Sequence, residues 1–234
     1  MRIAILMSNT DESDFAQAHP KDGEKWRARL MPLCPDCEFP VYSVKDGHFP
    51  EHVSGYDGVI VTGSPASVHD LDPWLPRLFS LIREAFEAGV PLFGACFGHQ
   101  AIALALGGAV SNNPGGWVFG TIQTEVTAPA PWMDGGPVRQ YAAHIEQVTR
   151  LPRGATVTMA NAGCPVGGFV IGRKVFTTQY HPEMNSEFIA ALIEELADQK
   201  PPEVIAAARA SLSERADNAK FARWIMEFFR QEAG

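Results

Sequence analysis

A chain of 234 residues, 46% hydrophobic and 20% charged, is long enough to bury a sizeable core as one domain with an appendage. Its net charge of −8, without clustered Lys and Arg, argues against nucleic acid as a direct partner, because neutralising phosphates takes local positive charge. The apolar runs "IAILM" and "AIALALGGAV" are too short for a signal peptide or a membrane span, so the expectation is a cytoplasmic protein with no membrane partner.

"RIAILM" reads as a strand, followed by polar "SNTDESD" and by helical periodicity through "FAQAHPKDGEKWRARLMPL". Cys34 and Cys37 in "CPDC" come next. Four cysteines do not suggest a disulfide framework, and a single CxxC lacks the further ligands a zinc site needs. The pair lies in a Pro-rich connector and opens no helix, so an ordinary loop is expected there. Pro50 likewise breaks the turn that would align His48 with His52.

"FPVYSV" and "DGVIVTG" read as strands, and "PWLPRLFSLIREAFEAG" as a helix closed by Gly89. The near-continuously apolar "VPLFGA" fits a central strand covered on both faces, and "HQAIALALGG" supplies the helix after it. From residue 121 the texture shifts to short strands, "TIQTEV", "RQYAAHIEQVT", "ATVTMANA", "GGFVIG" and "KVFTTQY". Three helices follow, in "SEFIAALIEELADQ", "EVIAAARASLSERA" and "DNAKFARWIMEFFR". Phe221, Ile225, Phe228 and Phe229 form an apolar stripe on the last of them. It is read as packing on the domain's own sheet, with an oligomer contact as the alternative. Alternating strands and helices imply an α/β domain over residues 1–234, with 198–234 a C-terminal helical extension. The architecture expected is three-layered: an open, mostly parallel sheet with helices on both faces and a small antiparallel extension.

The strand-to-helix junction carries Gly94-x-Cys96-x-Gly98, the spacing of a nucleophile elbow. Glycine at the flanking positions lets the turn close, and the helix N-terminus favours a thiolate. His181 in "TTQYHPEM" follows another strand-like run and should reach the same sheet edge, with Glu183 two residues on to orient its ring. Nucleophile, base and orienter on separate strand ends follow the triad logic. Phe97 offers a backbone N–H to an oxyanion, and Gly63 and Ser64 of "VTGSPASV" can offer a second.

"GACFGHQ", "YHPEM" and "TGSPAS" together resemble the three signatures of the class I, or triad, glutamine amidotransferases, over roughly residues 1–190. The resemblance implies a flavodoxin-like fold and hydrolysis of glutamine to glutamate and ammonia through a γ-glutamyl thioester, with no metal or organic cofactor. It implies Cys96 as nucleophile, His181 as base then acid, Glu183 as orienter, and the Ser64 and Phe97 amides as oxyanion donors. Many members carry a second glycine where Ser64 stands. By the same resemblance Gly63, Gln100, Gly116, Trp117 and His144 border the substrate, although a hydrogen-bonded structural role for His144 stays equally open. His99 is read as packing or support.

These domains usually feed ammonia to a synthetase, yet no G-x-x-x-x-G-K-[ST] loop appears and residues 198–234 are too few for an activating domain. Either a separate synthetase subunit receives ammonia, or hydrolysis is the whole reaction. The alternative is a γ-glutamyl peptidase acting on γ-glutamyl amides, which "CFGHQ" and "GGW" resemble. A catalytically silent binding protein is the third reading.

Overall fold

The computed structural model describes residues 1–231; the last three residues of the expected helical extension lie outside them. In chain order the elements are β1 (Ile3–Met7), α1 (Asp14–Ala18), α2 (Asp22–Leu30), β2 (Val41–Ser43), β3 (Gly58–Val61), α3 (Leu75–Ala88) and β4 (Leu92–Ala95). There follow α4 (Phe97–Ala105), β5 (Ala109–Asn112), β6 (Val118–Val126), β7 (Gly136–His144), β8 (Glu146–Arg150), β9 (Thr156–Asn161) and β10 (Cys164–Ile171). The chain closes with β11 (Val175–Thr178), α5 (Ser186–Glu195), α6 (Pro202–Ser211) and α7 (Asn218–Phe229).

The main sheet runs β2-β1-β3-β4-β11-β10-β9-β6-β7. Its first five strands are mutually parallel, and β10, β9, β6 and β7 continue it antiparallel. The expected class holds, with helices on both faces. Successive residues of a strand point to opposite faces. Ala4, Leu6, Val59, Val61 and Leu92 accordingly meet α3 and α4 in one core, while Ile3, Ile5, Ile60 and Phe93 meet α2 and α7 in the other. A third core lies between β6, β7 and the helices α5 and α6. No helix among the described residues is long and apolar enough to cross a membrane.

The C-terminal helices are built into these cores. Phe221 stacks on Phe176 at 5.5 Å, and the stripe of α7 is buried against the chain's own sheet. Helix α6 crosses β6 so closely that a Cβ on Gly120 would lie 2.9 Å from Ala208 Cα.

Four local expectations are corrected. The single helix expected after β1 is two, because Pro20 falls between them and the residue before a proline is pushed out of the helical region; His19 is extended at φ −121, ψ 157. "RQYAAHIEQVT" is two strands, β7 in the main sheet and β8 paired with β5 in a separate ribbon. β5 itself has no counterpart in the sequence reading. Finally, "CPDC" is not an open loop: a turn in which Cys37 N–H donates to Cys34 O brings the two Cα atoms to 5.3 Å, within bridging range, and the sulfurs are bonded.

Candidate active site

Cys96 stands between β4 and α4 at φ 50, ψ −108, the one non-glycine residue of positive φ among the described residues. A conformation of this kind costs on the order of 1–3 kcal/mol and persists only when its surroundings enforce it. Here the enforcement is visible. Cys96 N–H donates to Thr178 O on the neighbouring strand at 2.9 Å, and Cys96 O accepts from Gln100 N–H at 3.1 Å. A Cβ on Gly98 would lie 2.1 Å from Val61 O, and one on Gly94 would lie 2.6 Å from the Gly98 carbonyl. Only glycine lets α4 sit this close to β3 and β4.

His181 follows β11 by three residues, and its backbone N–H donates to Tyr141 O at 2.8 Å, pinning it to β7. Its Nδ1 lies 2.7 Å from Glu183 Oε1, which leaves Nε2 as the nitrogen for Cys96. Burial opposes charge on this ring, but the neighbouring Cys96 and the Glu183 carboxylate outweigh burial and hold its pKa well above the usual histidine range. All three side chains are buried. Gly63 closes the group from β3, where a Cβ would lie 2.8 Å from His181 Cε1 and 3.8 Å from Cys96 Cβ.

Phe97 is the first residue of α4, where backbone N–H groups have no intrahelical acceptor. Ser64 lies beside Gly63, its hydroxyl accepting from Ala66 N–H at 3.1 Å. The remaining expected residues divide. Gly63, Ser64, His181 and Trp117 line one cavity, whereas Gln100, Gly116 and His144 are not in its wall. Gln100 Nε2 instead donates to Glu146 O at 2.8 Å and to Gln179 Oε1 at 3.3 Å. His144 Nδ1 lies 3.0 Å from the same carbonyl of Glu146, and burial pushes its imidazole down to about 4. Gly116, at φ +79, closes a turn with Asn113. His99 is fully buried against Phe169, with Nδ1 2.8 Å from Thr177 Oγ1; burial lowers it to about 3.

Sequence reasoning missed Gln179. Its Nε2 donates to Cys96 Sγ at 3.8 Å while its Oε1 accepts from Gln100 Nε2 at 3.3 Å, so the glutamine of the elbow helix is linked to the sulfur through a second glutamine.

The cavity beside the group has a volume of about 680 Å³. It runs from Gly63 and His181 to the segment carrying α1 and α2 on one side and to α5 on the other. Lys200 sits in its wall with Nζ 3.7 Å from the Trp117 ring centre.

The family model "Glutamine amidotransferase class-I" matches residues 35–194, more than half of the chain. The chain belongs to the class-I glutamine amidotransferase family. YLR126C of Saccharomyces cerevisiae, named as a candidate glutamine amidotransferase, is 29% identical over 201 residues, 80% of each protein. Gamma-glutamyl peptidase 3 of Arabidopsis thaliana is 26% identical over 196 residues, 80% of this chain and 74% of that one. GMP synthase of Streptomyces coelicolor is 36% identical over 130 residues, but this family member matches only 24% of that protein's length. In fold it is similar to a glutamine amidotransferase from Thermotoga maritima, with a TM-score of 0.77, 19% identity and 98% of both chains covered.

Proposed function

We propose that this chain hydrolyses a γ-glutamyl amide bond, that of glutamine in the first instance, with Cys96, His181 and Glu183 as its catalytic triad. The observation that carries this reading is the strained Cys96 at the head of α4, grouped at one sheet edge with a histidine whose Nδ1 is 2.7 Å from a buried carboxylate. The Cys96 thiolate attacks the γ-carbonyl, forming a C–S bond, while the backbone N–H groups of Phe97 and Ser64 receive the oxyanion. Collapse breaks the C–N bond, and the leaving nitrogen takes its proton from the His181 imidazolium. Neutral His181 then takes a proton from water, which attacks the thioester and frees glutamate and the thiolate. In this reading Glu183 holds the ring and favours its charged form, and Gln179 donates to the sulfur.

Labelling by a diazo-ketone analogue of glutamine, mapped by mass spectrometry, tests the assignment. Modification of Cys96, lost in Cys96→Ser, supports it; modification elsewhere or nowhere refutes it. Ammonia delivered to a separate synthetase is one outlet for this chemistry. A second reading, in which an amine larger than ammonia leaves, is favoured by the cavity. At about 30 Å³ per non-hydrogen atom, water's generous share in the liquid, the ten such atoms of glutamine fill at most roughly 300 Å³. That is less than half of the 680 Å³ present.

A further inference from the structure

The surplus volume has a definite chemistry. Phe188, Leu192 and Leu196 lie at spacings of four, one face of α5 and its last turn, and all three line the cavity only partly buried. Ile189 and Ile193 of the same helix are fully buried in the core behind them; Phe188, Leu192 and Leu196 pack on that core with one side and face the cavity with the other. Opposite, the five-residue α1 buries no side chain of its own. Its Phe15 and the following His19 meet Phe188 at 5.7 and 5.3 Å between ring centres, and Lys25 Nζ lies 3.5 Å from the Phe188 ring centre. Lys25 is itself paired with Asp22 at 3.0 Å, and Glu12, Lys21, Lys45 and Lys200 also line the cavity, so its rings and methyl groups are concentrated on α5 and Phe15. Partly exposed apolar groups lining a concavity mark a site that an apolar ligand group covers.

The chamber is continuous with Gly63, Ser64 and His181. The nitrogen that leaves the tetrahedral adduct on Cys96 takes its proton from His181, the triad member that lines this chamber. We propose that the Phe15–Phe188–Leu192–Leu196 chamber binds the amine half of the substrate, and that the preferred substrates are γ-glutamyl amides whose amine carries an aromatic or large aliphatic group. This rests on the thioester reading above. The balance is unchanged: the C–S bond forms as C–N breaks, the free amine departs with the His181 proton, and water resolves the thioester.

The test compares kcat/KM of the full chain for L-glutamine, γ-glutamylglycine and γ-glutamylphenylalanine. An apolar group fitted to an apolar chamber is worth about tenfold or more, so γ-glutamylphenylalanine exceeds γ-glutamylglycine by that factor. In Phe188→Ala the ratio between these two substrates falls at least fivefold. Should that variant fail to fold, judged by its thermal melt, Leu192→Ala provides the same comparison. Equal kcat/KM values for the two peptides, or a ratio unmoved in a folded variant, overturn the proposal. Diazo-ketone labelling separates the two levels: Cys96 labelled with a flat substrate profile removes only the chamber's role, whereas no labelling of Cys96 removes the thioester reading itself.

Discussion

Replacing Gly98 by alanine adds one carbon where the elbow helix crosses β3. That carbon would sit 2.1 Å from Val61 O, 2.8 Å from Val61 C and 3.0 Å from Val61 Cβ, so the obstacle is backbone and cannot swing away. Reaching even a tight contact of about 3 Å moves the start of α4 by about 1 Å. Overpacking of this kind costs roughly 1–3 kcal/mol or more, and in a chain of this size each kcal/mol lowers the melting temperature by about 2–4 °C. The larger effect is local. Cys96 and the Phe97 amide ride on the displaced turn, and a misplacement of about 1 Å costs on the order of 100-fold in a positioned reaction. Thermal melting read beside the rate of Cys96 labelling by the diazo-ketone should show a loss of roughly 5–10 °C and of about 100-fold. Gly55→Ala is the control, since a Cβ there meets nothing within 4 Å. A Gly98→Ala protein that melts and labels like Gly55→Ala would refute the steric account of the elbow.

Glu183→Gln keeps the shape of the partner 2.7 Å from His181 Nδ1 but removes its charge, so the His181 pKa drops from its raised value. A raised pKa contributes stability that is complete below the ordinary histidine value of about 6.5 and is lost as pH rises through the folded value. Melts across the alkaline range should therefore fall away more steeply in the wild type than in the variant; superimposable profiles would contradict this. Gln179→Leu removes the donor 3.8 Å from Cys96 Sγ, and one hydrogen bond of about 1 kcal/mol predicts about a fivefold slower alkylation of Cys96 by iodoacetamide. An unchanged rate would leave Gln179 a packing residue. His99, held down to about 3, has the opposite linkage sign: it supports stability above about pH 6.5 and withdraws it as pH falls towards 3, by at most about 1.4 kcal/mol per pH unit. Urea melts of His99→Asn should show a flatter acid limb than the wild type, and an equally steep limb would place the acid sensitivity elsewhere.

What was legible in the sequence was whatever a short local pattern over-determines. The elbow could be read because strand, glycine, cysteine, glycine and helix fall within ten residues, and glycine there has a steric reason that the contacts with Val61 O and the Gly98 carbonyl make explicit. His181 and Glu183 could be read because two residues of separation suffice for their hydrogen bond. Gln179 could not, since its approach to the sulfur depends on β11 lying parallel to β4 with Thr178 opposite Ala95. No local pattern records that register. The break at Ile145 and the short strand β5, two of whose four residues are exposed, escaped for the same reason: they are defined by which strand they pair with.

The chamber was hidden in a different way. "SEFIAALIEELADQ" carries more apolar positions than one core-facing stripe requires, and read as a sequence the surplus only strengthens the case for a helix. In the fold the excess separates into two rows. Ile189 and Ile193 are buried whatever the substrate, while Phe188, Leu192 and Leu196 stay open beside His181. The first row holds α5 against the sheet, and the second adds to that packing only with its inner side. Selectivity for the leaving amine is therefore expected to reside on that second row, where a change of side chain alters the chamber and leaves the elbow and the fully buried Ile189 and Ile193 in place.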